Sequence, residues 1–142
     1  MSEQQAREAA LADRRAHSPQ ASAELARRVA GIVDAKQGAD IVALDVRELV
    51  AYTDYLVIAT ARNERQAKAI HDEVYARLKR EDGLLPARVE GQTEARWLLL
   101  DYIDCVLHVF VPEMRDRYRL EKLWGEAPEL ELGLGHPEPP PA

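Results

Sequence analysis

The chain has few of the residues that carry nucleophilic or metal chemistry. Among 142 residues there is one cysteine, Cys105, inside an apolar run, and the serines are only Ser2, Ser18 and Ser22. A lone cysteine cannot close an intrachain disulfide, so a reducing compartment is expected, with Cys105 a small buried hydrophobe. The serines leave no nucleophile for a serine hydrolase. The seven glycines form neither GxGxxG nor GxxxxGK[ST], which removes two common phosphate cradles. His17, His71, His108 and His136 have no i, i+4 spacing and no cysteine pair to complete a zinc set. No apolar run approaches the ~18 residues of a membrane span, and the first residues lack the apolar core of a secretory leader. An excess of positive charge is missing too. The net charge is −6 and the pI about 5.3. That argues against broad binding to a phosphate backbone and suits docking onto a basic protein. The expectation is a cytoplasmic protein with no cofactor, no metal, no membrane contact and no sequence-specific nucleic-acid binding.

What the chain does have is enough apolar residues, 46%, for one ordinary core. Residues 1–21 are rich in Ala, Arg, Glu and Gln and read as a flexible extension. Residues 131–142 are rich in proline and glycine and read as a disordered tail. The folded domain is expected over 22–130. Ser22 is placed to cap a helix whose apolar stripe is Leu25, Val29, Ile32 and Val33, with Gly38 just past its end. Ile41–Val46 and Tyr55–Ala59 read as strands, nearly all apolar and so central in the sheet. Asn63 opens a second helix, with Gln66 three residues on as in a capping box. Its stripe is Ala67, Ile70, Val74 and Leu78, and Gly83 ends it. A weak strand near Arg88–Glu90, a turn at Gly91–Thr93, and strands at Trp97–Asp101 and Cys105–Val111 follow. Pro112 breaks the sheet, and helical character returns from Glu113 to Trp124.

Connection lengths constrain the topology. The short link from Arg47 to Thr53 makes the first two strands antiparallel neighbours. The helix after the second strand favours a parallel crossover to the third. Short turns make the last three strands antiparallel neighbours. The fold class is α/β (α+β): a mixed five-stranded sheet with flanking helices, in the order α-β-β-α-β-β-β-α.

Such a sheet could house a nucleotidyltransferase, whose two metal ions need aspartates that project the same way. Asp101 and Asp104 are three apart, so on one continuous strand they point to opposite faces, and Asp45 has no carboxylate at position 43 or 47. The stretch Trp97–Trp124 instead gathers both tryptophans, Tyr102 and Tyr118 with no catalytic pairing. Tryptophan and tyrosine are favoured interface anchors. Trp97, next to Arg96, is expected at a surface, and Trp124 in the core.

Three motifs carry a family resemblance: DYLVIATARNERQAKAI over Asp54–Ile70, WLLLDYIDCVLHVF over Trp97–Phe110, and RxxYxLExLW, met by Arg115, Tyr118, Leu120, Glu121, Leu123 and Trp124. From about Ala21 to Leu130 the chain resembles the ribosomal silencing factors, the RsfS or Iojap-like family. It departs where the family usually has glycine in a DYGD turn. Here Ile103 stands, a β-branched residue that resists positive φ, so another turn type is expected.

The resemblance implies a nucleotidyltransferase-like sheet without a catalytic site, hence no enzyme. It implies binding to the large ribosomal subunit through that subunit's ribosomal protein fourteen, blocking subunit joining and repressing translation when nutrients are scarce. It also implies a homodimer when free. Trp97, Leu99, Asp101, Tyr102, Asp104 and Met114 are the expected partner-binding residues. The alternatives are a large-subunit assembly factor and a nucleotidyltransferase-like enzyme.

Overall fold

The computed structural model describes residues 3–5, 19–119, 122 and 124–134. Its elements run α1 (Pro19–Ala35), β1 (Ala39–Asp45), β2 (Tyr55–Thr60), α2 (Glu64–Asp82), β3 (Arg88–Glu90), β4 (Trp97–Asp101), β5 (Cys105–Phe110) and α3 (Pro112–Tyr118). This is the order expected. The strands form one five-stranded sheet in the order β1-β2-β5-β4-β3. β2 and β5 are parallel, and the other pairs are antiparallel.

The expected parallel crossover is present: β3 runs parallel to β2 in the same sheet, with two strands between them. β3, β4 and β5 are antiparallel neighbours as expected, and β5 is the strand that lies against β2, leaving β3 at the far edge. Every residue of β2 and β5 is buried, so the two most apolar strands take the central places. One topological expectation needs correction: β1 is an edge strand. Its apolar content has another cause. The Asp45 N–H donates to the Pro128 carbonyl and the Leu130 N–H to the Ala43 carbonyl, both at 2.8 Å. Residues 128–130 therefore cover the open edge, which protects it from pairing with other chains. Leu130, Leu132 and Leu134 pack against the core as well, beyond the boundary expected at residue 130.

α1 and α2 cover one face of the sheet. Val29, Ile32, Val33, Ile70, Val74 and Leu78 are each no more than 1% exposed, and they lie over Val57, Leu98, Leu100 and Leu107. Ser22 is not a cap. The helix starts at Pro19, whose fixed φ suits a first helical position. Ser22 lies inside it, buried, and its hydroxyl donates to Asp54 Oδ2 at 2.7 Å. Gly38 is required by space: a Cβ there would stand 2.4 Å from Val33 Cγ1.

α2 follows its sequence signals. The Asn63 side chain accepts the Gln66 N–H at 2.9 Å, and Gly83 ends the helix at φ 64°. Such a cap contributes about 1 kcal/mol. α3 is shorter than expected. It ends at Tyr118, where Arg119 turns into the left-handed region at φ 42°. Trp124 belongs to a following turn, and Leu120, Glu121 and Leu123 of the RxxYxLExLW motif lie outside the described residues.

The turn after β4 also corrects an expectation. Ile103 adopts φ 72° although it is β-branched, so the turn keeps the geometry that glycine would favour. Asp101 Oδ1 accepts the Ile103 N–H at 2.9 Å and holds it there.

Candidate docking face

The second face of the sheet is only partly covered. Leu44, Val46, Leu56, Ile58, Val106 and Phe110 are buried on it, while Val42, Val50, Trp97, Leu99, Met114 and Trp124 pack around them half-buried. α3 crosses one end and buries none of its own residues completely. Arg115 pins it: its Nη1 donates to the Asp40 carbonyl at 2.6 Å and to Thr60 Oγ1 at 2.8 Å, spanning the ends of β1 and β2.

Trp97 is the centre of this face. Its ring lies 4.7 Å from that of Tyr118, 4.8 Å from Phe110 and 5.9 Å from His108, centroid to centroid. These tilted arrangements suit aromatic quadrupoles. Its indole N–H donates to His108 Nδ1 at 3.0 Å. An acceptor at Nδ1 means a neutral imidazole with its proton on Nε2. The surroundings agree. Burial, and next the nearby Arg88, push the His108 pKa down to about 4. The ring of Trp97 is thus fixed by packing and by one hydrogen bond, which reduces the entropy lost on binding a partner.

The loop beside it is shaped for Trp97. Gly91 adopts φ 85°, and a Cβ there would stand 1.9 Å from the Trp97 carbonyl oxygen. Only glycine allows this approach. The Ala95 N–H closes the turn onto the Gly91 carbonyl at 2.9 Å. Between this turn and Met114 lies an open groove of about 300 Å³, lined also by Arg96 and Trp97. Glu94 is on its wall, and Arg96 meets the exposed Glu113 at 3.3 Å.

The residues expected to bind a partner divide accordingly. Trp97, Leu99 and Met114 come together, half-buried, on the open face. Asp101 shares their strand face but is 1% exposed and tied into the turn. Asp104 is buried in the same turn. Tyr102 departs furthest. It packs in the helix-side core, where burial, with Cys105 and Tyr75 nearby, raises its pKa well above the usual phenol range. The acids that flank the groove are Glu94 and Glu113. Sequence reasoning missed these, along with the part that Phe110, His108 and Arg115 play. The only signal for Phe110 and His108 was their shared strand parity, and Arg115 reaches its partners through the fold.

Other chemistry is sparse. Among the described residues no three His, Cys, Asp or Glu side chains gather to hold a metal ion, and no helix is long and apolar enough to cross a membrane. Cys105 is fully buried, and burial raises its thiol pKa. A cleft of about 610 Å³ lies at the opposite end of the sheet. Its Arg47 is committed to Asp45, at 2.6 and 2.9 Å, and lies over the Tyr55 ring.

The chain matches the family described as RsfS, ribosomal silencing factor during starvation, over residues 19–141. A ribosomal silencing factor from Bacillus subtilis is 40% identical over 106 residues, 75% of this chain and 89% of that one. One from Halalkalibacterium halodurans is 38% identical over 109 residues, 77% of this chain and 92% of that one. A crystal structure of a Chromobacterium violaceum protein superposes with a TM-score of 0.68 at 33% identity, covering 85% of this chain and 98% of that one. A mouse protein named for mitochondrial assembly of the ribosomal large subunit is 37% identical over 89 residues, 60% of this chain and 38% of that one.

Proposed function

The chain belongs to the ribosomal silencing factor family, and from that membership we propose that it is a cytoplasmic protein that binds the large ribosomal subunit. Bound there, it blocks the small subunit sterically and represses translation under nutrient limitation. The partner on the large subunit is ribosomal protein fourteen. The observation that carries the docking assignment is the open sheet face around Trp97. It offers a fixed aromatic anchor, half-buried Leu99 and Met114, and flanking Glu94 and Glu113 for basic groups on the partner. Steric exclusion requires area and position, and no group that reacts.

A hot-spot tryptophan is worth about 2 kcal/mol or more of binding, on the order of thirtyfold in affinity. The test is co-sedimentation with purified large and small subunits. Wild-type protein is expected to pellet with large subunits only, and Trp97→Ala/Met114→Ala with neither. Retention of the double variant at wild-type affinity refutes the face. Failure of the wild type to pellet refutes the function.

The same apolar face suits a homodimer in the free state, since partners compete for it. Light scattering that gives a monomer mass at high concentration would exclude this. The mouse relative's name favours a second reading, an assembly role on the large subunit. Tighter binding to precursor than to mature large subunits would select it.

A further inference from the structure

A notch of about 540 Å³ opens where the end of α1 meets the start of α2. Lys36, Arg62 and Arg65 line it, and no carboxylate does. All three are exposed, and none of their side chains makes a hydrogen bond or ion pair among the described residues. Elsewhere in this chain of net charge −6 several arginines lie against carboxylates: Arg28 with Glu81 and Asp82, Arg47 with Asp45, Arg77 with Glu81. A notch lined by three charges of one sign focuses positive potential and attracts an anion.

The notch is also held in shape. Gln66 is 8% exposed, and its side chain is fully engaged across the gap. Its Oε1 accepts the Arg62 N–H at 2.6 Å, and its Nε2 donates to the Lys36 and Gln37 carbonyls at 3.2 and 3.1 Å. The backbone at Lys36 and Gln37 is therefore held opposite the backbone at Arg62. The strand register gives the notch its place in the fold. Thr60 lies opposite Phe110, and Phe110 opposite Trp97. Arg62, two residues past Thr60, thus leaves the same end of the sheet as the Trp97 groove.

We propose that Lys36, Arg62 and Arg65 form a binding site for the phosphate backbone of ribosomal RNA, engaged when the Trp97 face docks on the large subunit. The inference rests on the docking proposed above. Two of the three cations are arginines, whose planar fork suits phosphate oxygens better than a flexible ammonium does. The negative charge elsewhere repels RNA, so contact is confined to this notch and carries no sequence preference.

The experiment compares Arg62→Ala/Arg65→Ala with Lys79→Ala/Arg80→Ala, which removes equal charge from the other end of α2. Each is titrated against purified large subunits over about 50 to about 200 mM salt. The first variant should bind on the order of tenfold more weakly than wild type at the lowest salt. Its log–log salt slope should be flatter by about 1 for each cation lost. The second should match wild type. Equal binding and equal slopes for both variants, with wild type bound, overturn the RNA site and leave the docking reading standing. In a second arm, a short fluorescent oligoribonucleotide of mixed sequence and a glutamate peptide of equal charge are titrated at low salt. Patch-dependent binding of the RNA supports the proposal. Patch-dependent binding of the peptide without the RNA overturns it in favour of an acidic protein partner.

Discussion

Trp97→Phe removes one polar hydrogen and little of the aromatic surface. A phenyl ring still packs between Phe110 and Tyr118 but has no N–H for His108 Nδ1, now 3.0 Å away. His108 is 8% exposed, so water replaces the lost donor poorly. An unpaired buried acceptor costs about 1–3 kcal/mol. The indole is only half-buried, so its lost area adds little. A loss of about 2 kcal/mol follows, or roughly 6 °C in Tm for a chain of this length. The imidazole should also change. The lost bond favoured its neutral form, so the pKa of His108 should rise from about 4. Urea denaturation gives the first quantity, and an NMR titration of the His108 ring gives the second. Adding His108→Phe removes the orphaned acceptor, so the double variant should be more stable than the sum of the singles by about 1 kcal/mol. An unchanged stability and an unchanged His108 titration in Trp97→Phe would refute the hydrogen bond.

Three further outcomes are expected. His108 titrates near 4 in the fold and at about 6.5 when unfolded, so the unfolded chain takes up the proton first as pH falls. Its contribution is complete above about pH 6.5 and is lost between there and pH 4, up to about 3 kcal/mol; in His108→Gln the urea midpoint should fall less over that range. Gly91→Ala places a methyl against the Trp97 carbonyl at positive φ, and should cost about 2 kcal/mol or more and quench or shift tryptophan fluorescence. Ser22→Ala deprives Asp54 of a buried donor and should lower stability by about 1–2 kcal/mol by calorimetry, whereas a mere cap at a frayed end would lose less.

How much was legible depended on whether the cause was local. α2 could be read because Asn63, Gln66 and Gly83 act on backbone groups within a turn of themselves. β2 and β5 could be read because burial on both faces leaves an unbroken apolar run. β1 looks the same in sequence, but its second partner is the segment at 128–130, some eighty residues away in the chain. No local pattern separates such a strand from a central one. Ser22 failed as a cap because the residue type that caps a helix also donates well from inside one. On the docking face, strand alternation grouped Trp97 with Leu99 correctly. The same alternation puts Tyr102 with Leu98 and Leu100 on the opposite face, where the structure has it, so counting Tyr102 among the docking residues goes against the strand pattern. The notch at Lys36, Arg62 and Arg65 was hidden by the acidic total, because net charge does not record where the cations converge.

The most direct measurement is the rate and extent of subunit joining, followed by light scattering after mixing purified large and small subunits. Large subunits preincubated with the wild-type chain should show a lower joining amplitude that falls with protein concentration to a plateau. Trp97→Ala/Met114→Ala, shown to be folded, should leave the amplitude unchanged. Full joining in the presence of saturating, subunit-bound wild-type protein would contradict the account.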